Sequence, residues 1–135
     1  LVYRKKRLVE KLFSRIIRSE KNQIQINSSF KNLLEENGNF AIFGCGQDGQ
    51  KLYDNLKSIS VNVICFFDSI PRKWGNKANG MIIREFKIEY VLGNNIKILV
   101  ATKIYSNEIM EQLKSFGLIK NVDFFGCYRI RGEIS

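Results

Sequence analysis

This sequence predicts an α/β fold, a parallel sheet of about five strands with helices on both faces. Three observations carry the prediction. From residue 39 onward, apolar and β-branched runs alternate with segments of helical periodicity. The first apolar run ends in glycine, where a strand would have to turn into a helix. The chain has 135 residues, 44% of them hydrophobic and 12% aromatic, enough to close one core at that length and to exclude wholesale disorder.

Phe40-Ala41-Ile42-Phe43 is a compact apolar run and suits a buried central strand. Residues 47 to 59 follow with Leu52, Leu56 and Ile59 on one helical face. Residues 61 to 67 form a second apolar run, which closes at Asp68. Met81-Ile82-Ile83 reads as a short third strand, with a helix from Phe86 to Leu92 behind it. Ile96 to Ala101 is a fourth strand. Ser106 to Phe116 is a helix carrying Ile109, Met110 and Leu113, and Asp123 to Tyr128 is a fifth strand. Alternation at these intervals implies parallel strands with right-handed helical crossovers and the order 3-2-1-4-5.

The chain divides by charge. Residues 1 to 21 hold eight basic residues against Glu10 and Glu20, so this stretch carries +6 of the formal +9. Leu8, Leu12, Phe13, Ile16 and Ile17 recur at helical spacing there, which predicts an amphipathic basic helix. Ser28 or Ser29 would cap a second short helix that ends at Asn37-Gly38-Asn39. We therefore expect an arm over 1–37 and a domain over 38–135. The favoured reading of the arm is a solvated helix that docks its apolar stripe on the domain; it also fits a linker from an upstream domain, a contact with an acidic membrane surface, or a homo-oligomer contact. In the remainder Lys and Arg are scattered among acids, with no basic stripe carrying interleaved aromatics, so nucleic acid is not an expected partner.

Some chemistry is excluded outright. There is no histidine, hence no His general base, no Ser-His-Asp or Cys-His pair and no His-ligated metal. Cys45, Cys65 and Cys127 are odd in number and far apart, unlike a CxxC metal or redox pair, which points to a reducing, cytoplasmic setting. No run of about 18 apolar residues is present. The chain starts at Leu1 and not at Met, so a longer protein, with a membrane segment upstream and a place on the cytoplasmic face, stays open.

Gly44-Cys45-Gly46-Gln47-Asp48-Gly49 is a GxGxxG motif at the junction of the first strand and its helix. In a three-layer Rossmann-like domain each glycine has a task. Gly44 permits the tight turn, Gly46 lets backbone approach a pyrophosphate, and Gly49 lets the helix press on the sheet. N–H groups at the helix start, Gln47 and Asp48 among them, face the phosphates with the helix dipole behind them. Asp68 ends the second strand 19 residues past Gly49, where a carboxylate accepts bonds from ribose hydroxyls and repels a 2′-phosphate. NAD is the cofactor this pattern favours. A nucleotide sugar, S-adenosylmethionine and a purely structural turn remain alternatives. Asp48 is the discordant residue, since its charge is unfavourable beside a pyrophosphate unless it faces solvent.

Further along, GxGxxGxxLxxxL runs from Gly44 to Leu56. The second strand ends Phe66-Phe67-Asp68, and DxxPxKxG spans Asp68 to Gly75. Gly80 to Ile83, the run Ile98-Leu99-Val100-Ala101-Thr102 and the pair Ile109 and Leu113 complete the series. Over residues 39 to 128 this order resembles the small Rossmann domain of bacterial surface-polysaccharide enzymes. These are the nucleoside-diphosphate-sugar epimerase/dehydratase proteins and related sugar-modifying transferases. The resemblance implies a nucleotide-binding module that works beside a separate catalytic domain, and nothing in this chain corresponds to that domain; the alternative is a non-catalytic regulatory or assembly domain of a larger sugar transferase that docks through the basic arm. It places Gly44, Gly46 and Gly49 in the phosphate loop, Asp68 at the ribose, Pro71, Lys73 and Gly75 in the next turn, and Thr102 beside the ligand. In one branch of these proteins the same crevice takes a UDP-sugar.

Ser69, Arg72 and Lys73 follow Asp68, and the two bases could clamp a phosphate or simply form a solvated turn. Lys103 and Tyr105 follow the fourth strand, at the carboxyl end where such sheets bind ligands. Trp74 could stack on a base or lid the domain edge. Two matches are set aside. Tyr53 and Lys57 spell YxxxK but lie on the first helix, out of reach of a reacting carbon. Cys45 stands beside a helix N-terminus without a basic partner, which leaves no activated nucleophile. We expect no catalytic residue and no metal ligand in this chain.

Overall fold

The computed structural model describes residues 38–127. The basic arm, the helix expected from Ser29 and Tyr128 lie outside the described residues. Six strands and three α-helices are seen within them. The strands are β1 (Asn39–Phe43), β2 (Asn62–Phe67), β3 (Lys77–Ala78), β4 (Met81–Arg84), β5 (Ile96–Val100) and β6 (Phe124–Gly126). The helices are α1 (Gln47–Ser58), α2 (Ile88–Gly93) and α3 (Ser106–Ser115), with a 3-10 turn at Pro71–Lys73.

The sheet order is β3-β4-β2-β1-β5-β6. Apart from β3, each strand pairs in parallel, and the parallel portion has the order expected from sequence. The sixth strand is a correction to the expected five. Lys77 and Ala78 pair antiparallel with Ile82 and Met81 around an Asn79-Gly80 turn. Both turn residues have positive φ, 53° and 80°, the conformation that Asn and Gly tolerate in a two-residue hairpin loop. The Asn79 amide then ties the hairpin to α1 by donating 2.9 Å to Oδ1 of Asp54.

Strand alternation divides the core into two layers. Phe40, Ile42, Val63, Phe66, Leu99 and Phe125 face one side, where Tyr53 and Leu56 of α1 cover them. Ala41, Phe43, Cys65, Phe67, Ile98 and Val100 face the other, beneath Val91 of α2 and Ile109, Met110 and Leu113 of α3. Period-two alternation in the strands and a 3.6-residue period in the helices produce this division. Each large apolar side chain removed from water there contributes about 1.5 to 3 kcal/mol. On the second side Phe43, Phe67, Phe86 and Phe116 form a chain of ring contacts, with centroids 5.3 to 5.9 Å apart. One irregularity interrupts the β1–β2 ladder. Phe40 pairs with Val63 but Ala41 with Cys65, so Ile64 is an extra residue in β2.

The carboxyl ends of the central strands stay in register into the loops. Gly44 N–H donates to the Phe67 carbonyl at 2.8 Å, Ala101 N–H to Phe43 at 2.9 Å and Cys127 N–H to Val100 at 2.7 Å. Those ends therefore form one level platform. No helix among the described residues is long and apolar enough to cross a membrane.

Candidate functional site

A cavity of about 530 Å³ opens above that platform. Its walls come from the loop after β1, the start of α1, the end of β2, the loop after β5 and one face of α3. It lies where the connection from β1 leaves to one side of the sheet and that from β5 to the other, the switch point at which such sheets bind ligands.

The glycine loop separates into residues that the fold requires and one that it does not. Gly44 has φ of +112°, and a side chain there would press on Thr102 at 3.4 Å. A Cβ on Gly49 would stand 1.9 Å from the Gly44 carbonyl oxygen, so only glycine lets α1 enter this close to β1. Gly46 differs. Its φ of −98° suits any residue, and a Cβ there would meet no atom of the described residues within 4 Å. The space beside it belongs to the cavity. Gly46 is also the N-cap of α1, and among the described residues no side chain caps that helix. Its first-turn N–H groups are therefore available to an anion, with the helix dipole behind them. Gln47 and Asp48 line the cavity and are exposed, and Asp48 in the first turn complements the same dipole.

Asp68 is buried, 7% exposed, at the end of β2. Its Oδ2 accepts the Cys45 N–H at 3.0 Å and its Oδ1 the Ile70 N–H at 2.9 Å. The Lys73 ammonium stands 3.6 Å from Oδ2. A carboxylate offers about four acceptor directions, more than the two that these N–H groups take, and Asp68 lines the cavity. The Asp68 carbonyl takes the Trp74 indole N–H at 2.7 Å. Trp74 thereby closes the edge of the first core layer and is not among the cavity residues.

Of the residues singled out from sequence, Gly44, Gly46, Gln47, Asp48, Gly49, Asp68, Ser69, Lys73, Thr102 and Tyr105 all line the cavity. Arg72 does not. It is exposed on the outside of the 3-10 turn, where its carbonyl accepts the Asn76 amide at 3.2 Å. Lys103 is also off the wall, and its carbonyl accepts the Ser106 hydroxyl at 2.8 Å at the start of α3. Sequence reading missed Glu108, Ile109 and Gln112, which α3 turns toward the cavity. Among the described lining residues the charges are the carboxylates Asp48, Asp68 and Glu108 against the ammonium of Lys73.

Of the two rejected matches, Tyr53 and Lys57 lie off the cavity wall, whereas Cys45 is on it. Tyr53 is buried in the first core layer against Phe66, centroids 5.9 Å apart, with the Lys57 ammonium 6.0 Å from its ring centre. Burial raises the Cys45 thiol above its ordinary value. Asp68 adds to that rise while Lys73 opposes it, and a protonated thiol is a poor nucleophile. No group of three or more His, Cys, Asp or Glu residues among the described ones could hold a metal ion.

Comparison with known proteins places the fold. The family model described as C2185-like, N-terminal matches residues 36–122. No curated protein matches the sequence. UDP-D-quinovosamine 4-dehydrogenase from Vibrio fischeri is 22% identical, over 59% of this chain and 72% of that one, with a TM-score of 0.52. RSP, a Rex-family repressor, is 19% identical over 93% of this chain and 68% of its own, with a TM-score of 0.56. RSP in complex with β-NAD+ and operator DNA is 18% identical, covers 92% and 73%, and has a TM-score of 0.54. Likeness at these identities establishes a shared Rossmann-like fold.

Proposed function

This chain belongs to the C2185-like, N-terminal family, and we propose that it is a nucleotide-binding module whose ligand is NAD(H). The observation that carries this is Gly46: its conformation is open to any residue, no atom of the described residues crowds it, and the space beside it is cavity. Glycine is an acceptable N-cap but not a required one, and a pyrophosphate lying against Gly46 supplies the stronger reason for it. Uncapped N–H groups of α1 would receive its oxygens. The Asp68 carboxylate would take a ribose hydroxyl, with Ser69 next to it in sequence on the cavity wall and Thr102 on the β5 side of the cavity. The similarity to a repressor solved with β-NAD+ supports the same reading. Asp48 is exposed, so solvent screens its charge and leaves only a weak repulsion of a diphosphate in this loop.

The setting we propose is nucleotide-sugar or surface-polysaccharide biosynthesis, in which the module serves a separate catalytic domain. Its support is the motif order from Gly44 to Leu113 and the likeness to a UDP-sugar dehydrogenase. A nucleotide sugar is the second reading. Glu108 and Gln112 stand four residues apart on the cavity face of α3, and together they offer an acceptor and an amide to a hydroxyl-rich group. Calorimetric titration with NAD+, NADH, UDP-N-acetylglucosamine and S-adenosylmethionine separates these. Saturable heat with the dinucleotides supports the first reading, and binding of the UDP-sugar alone moves the assignment to the second. Absence of heat with all four at millimolar concentration sinks both.

A further inference from the structure

We infer that Lys73 makes the crevice tolerant of a phosphate on the ribose 2′-oxygen, so that the site accepts NADP(H) as well as NAD(H). This rests on reading the crevice as a dinucleotide site. A carboxylate at the end of β2 turns away a 2′-phosphate when it presents an uncompensated charge. Asp68 does not present one. Its Oδ2 holds the Cys45 N–H at 3.0 Å and has the Lys73 ammonium at 3.6 Å, while Oδ1 holds the Ile70 N–H at 2.9 Å. Seen from a phosphate in the cavity, the carboxylate and the ammonium are opposite charges at similar range, and their fields largely cancel.

Lys73 is equipped for the second half of the task. It lines the cavity and its side chain is one-third exposed, beyond hydrogen-bond distance of Asp68. A lysine ammonium is a compact charge on a flexible stem with three donors. It can leave Oδ2 for a phosphate oxygen while the two backbone N–H groups keep the carboxylate in place. Arg72, the neighbouring base, is exposed and off the cavity wall, so it does not share the role. The competing account is that Lys73 and Asp68 form an ordinary surface ion pair of little consequence.

The test is calorimetric titration of the full chain and of Lys73→Met and Lys73→Arg with NAD+ and with NADP+. The wild-type protein should bind the two within about tenfold of each other, and Lys73→Met should shift that ratio at least about tenfold against NADP+. Lys73→Arg, which keeps the charge, should hold the wild-type ratio. Rejection of NADP+ by the wild type, with the same ratio in Lys73→Met, overturns the inference while leaving the dinucleotide reading intact. If folded wild-type protein binds neither ligand, that reading fails and the inference falls with it.

Discussion

The backbone N–H of Cys45 donates a 3.0 Å hydrogen bond to Oδ2 of Asp68, a buried contact that ties the glycine loop to the end of β2. One carboxylate thus ties down the glycine loop and also lines the cavity. The site is organised before any ligand arrives. Fixing the loop in advance lowers the ordering cost that binding must overcome.

Asp68→Ala is expected to lower stability by about 2 to 4 kcal/mol, because the Cys45 and Ile70 N–H groups both lose a charged acceptor. Urea denaturation checks the loss, and titration of the folded fraction should show weakened ligand binding. Unchanged stability would mean that water replaces the carboxylate without penalty.

Gly49→Ala brings a Cβ to within 1.9 Å of the Gly44 carbonyl, and because that atom is backbone the loop itself must shift. The expected loss is at least about 2 kcal/mol. It should appear in the urea midpoint, and a variant as stable as the wild type would contradict the close approach of α1 to β1.

Asp48→Asn should act in opposite directions on folding and on binding. Removing a carboxylate from the first turn of α1 costs about 0.3 to 1 kcal/mol of helix-dipole stabilisation. If the cavity takes the proposed diphosphate ligand, removing a negative charge from the glycine loop should tighten it by about two- to fivefold at low salt, less at high salt. Thermal melts and titrations at two ionic strengths measure both effects, and weaker binding would place the diphosphate elsewhere.

The thiols predict an alkaline loss of stability. Burial raises the Cys65 thiol to about 11, and burial also pushes up that of Cys127. The folded state therefore keeps these protons after the unfolded chain has lost them. Their contribution is complete below about pH 8.5, the unfolded thiol value, and falls as pH rises toward 11 by up to about 1.4 kcal/mol per unit for each thiol. Urea midpoints at pH 8, 9 and 10 should decline with a slope that Cys65→Ala makes shallower. An equal slope in that variant would count against the buried-thiol account.

What the sequence disclosed and what it hid have different physical causes. Gly44, Gly49 and Asp68 were legible because each answers a local demand: a positive φ, a close approach, an acid at a strand end. The strand at Lys77 and Ala78 was hidden by its length of two residues, although Asn79-Gly80 carried the hairpin signal. Glu108 and Gln112 were missed for another reason. Helical periodicity identifies the apolar stripe of Ile109, Met110 and Leu113 but not which polar neighbours border a cavity, because that depends on strand β1 lying between β2 and β5. Arg72 and Lys103 show the converse. Proximity in sequence to Asp68 and to Thr102 suggested a shared site, and the turns that follow those residues carry both side chains off the wall.

Gly46→Val tests the central claim most directly, because the claim is that the glycine exists for a ligand and not for the fold. Valine is compatible with the observed φ of −98° and meets no atom of the described residues at its Cβ, so the variant should fold with a loss of about 1 kcal/mol or less from its poorer N-cap preference. Titrated side by side with NADH, the wild-type chain should bind saturably at one site, and the folded variant should bind at least about tenfold more weakly. Equal affinity in the two proteins, or no heat from the wild type at millimolar NADH, would contradict it.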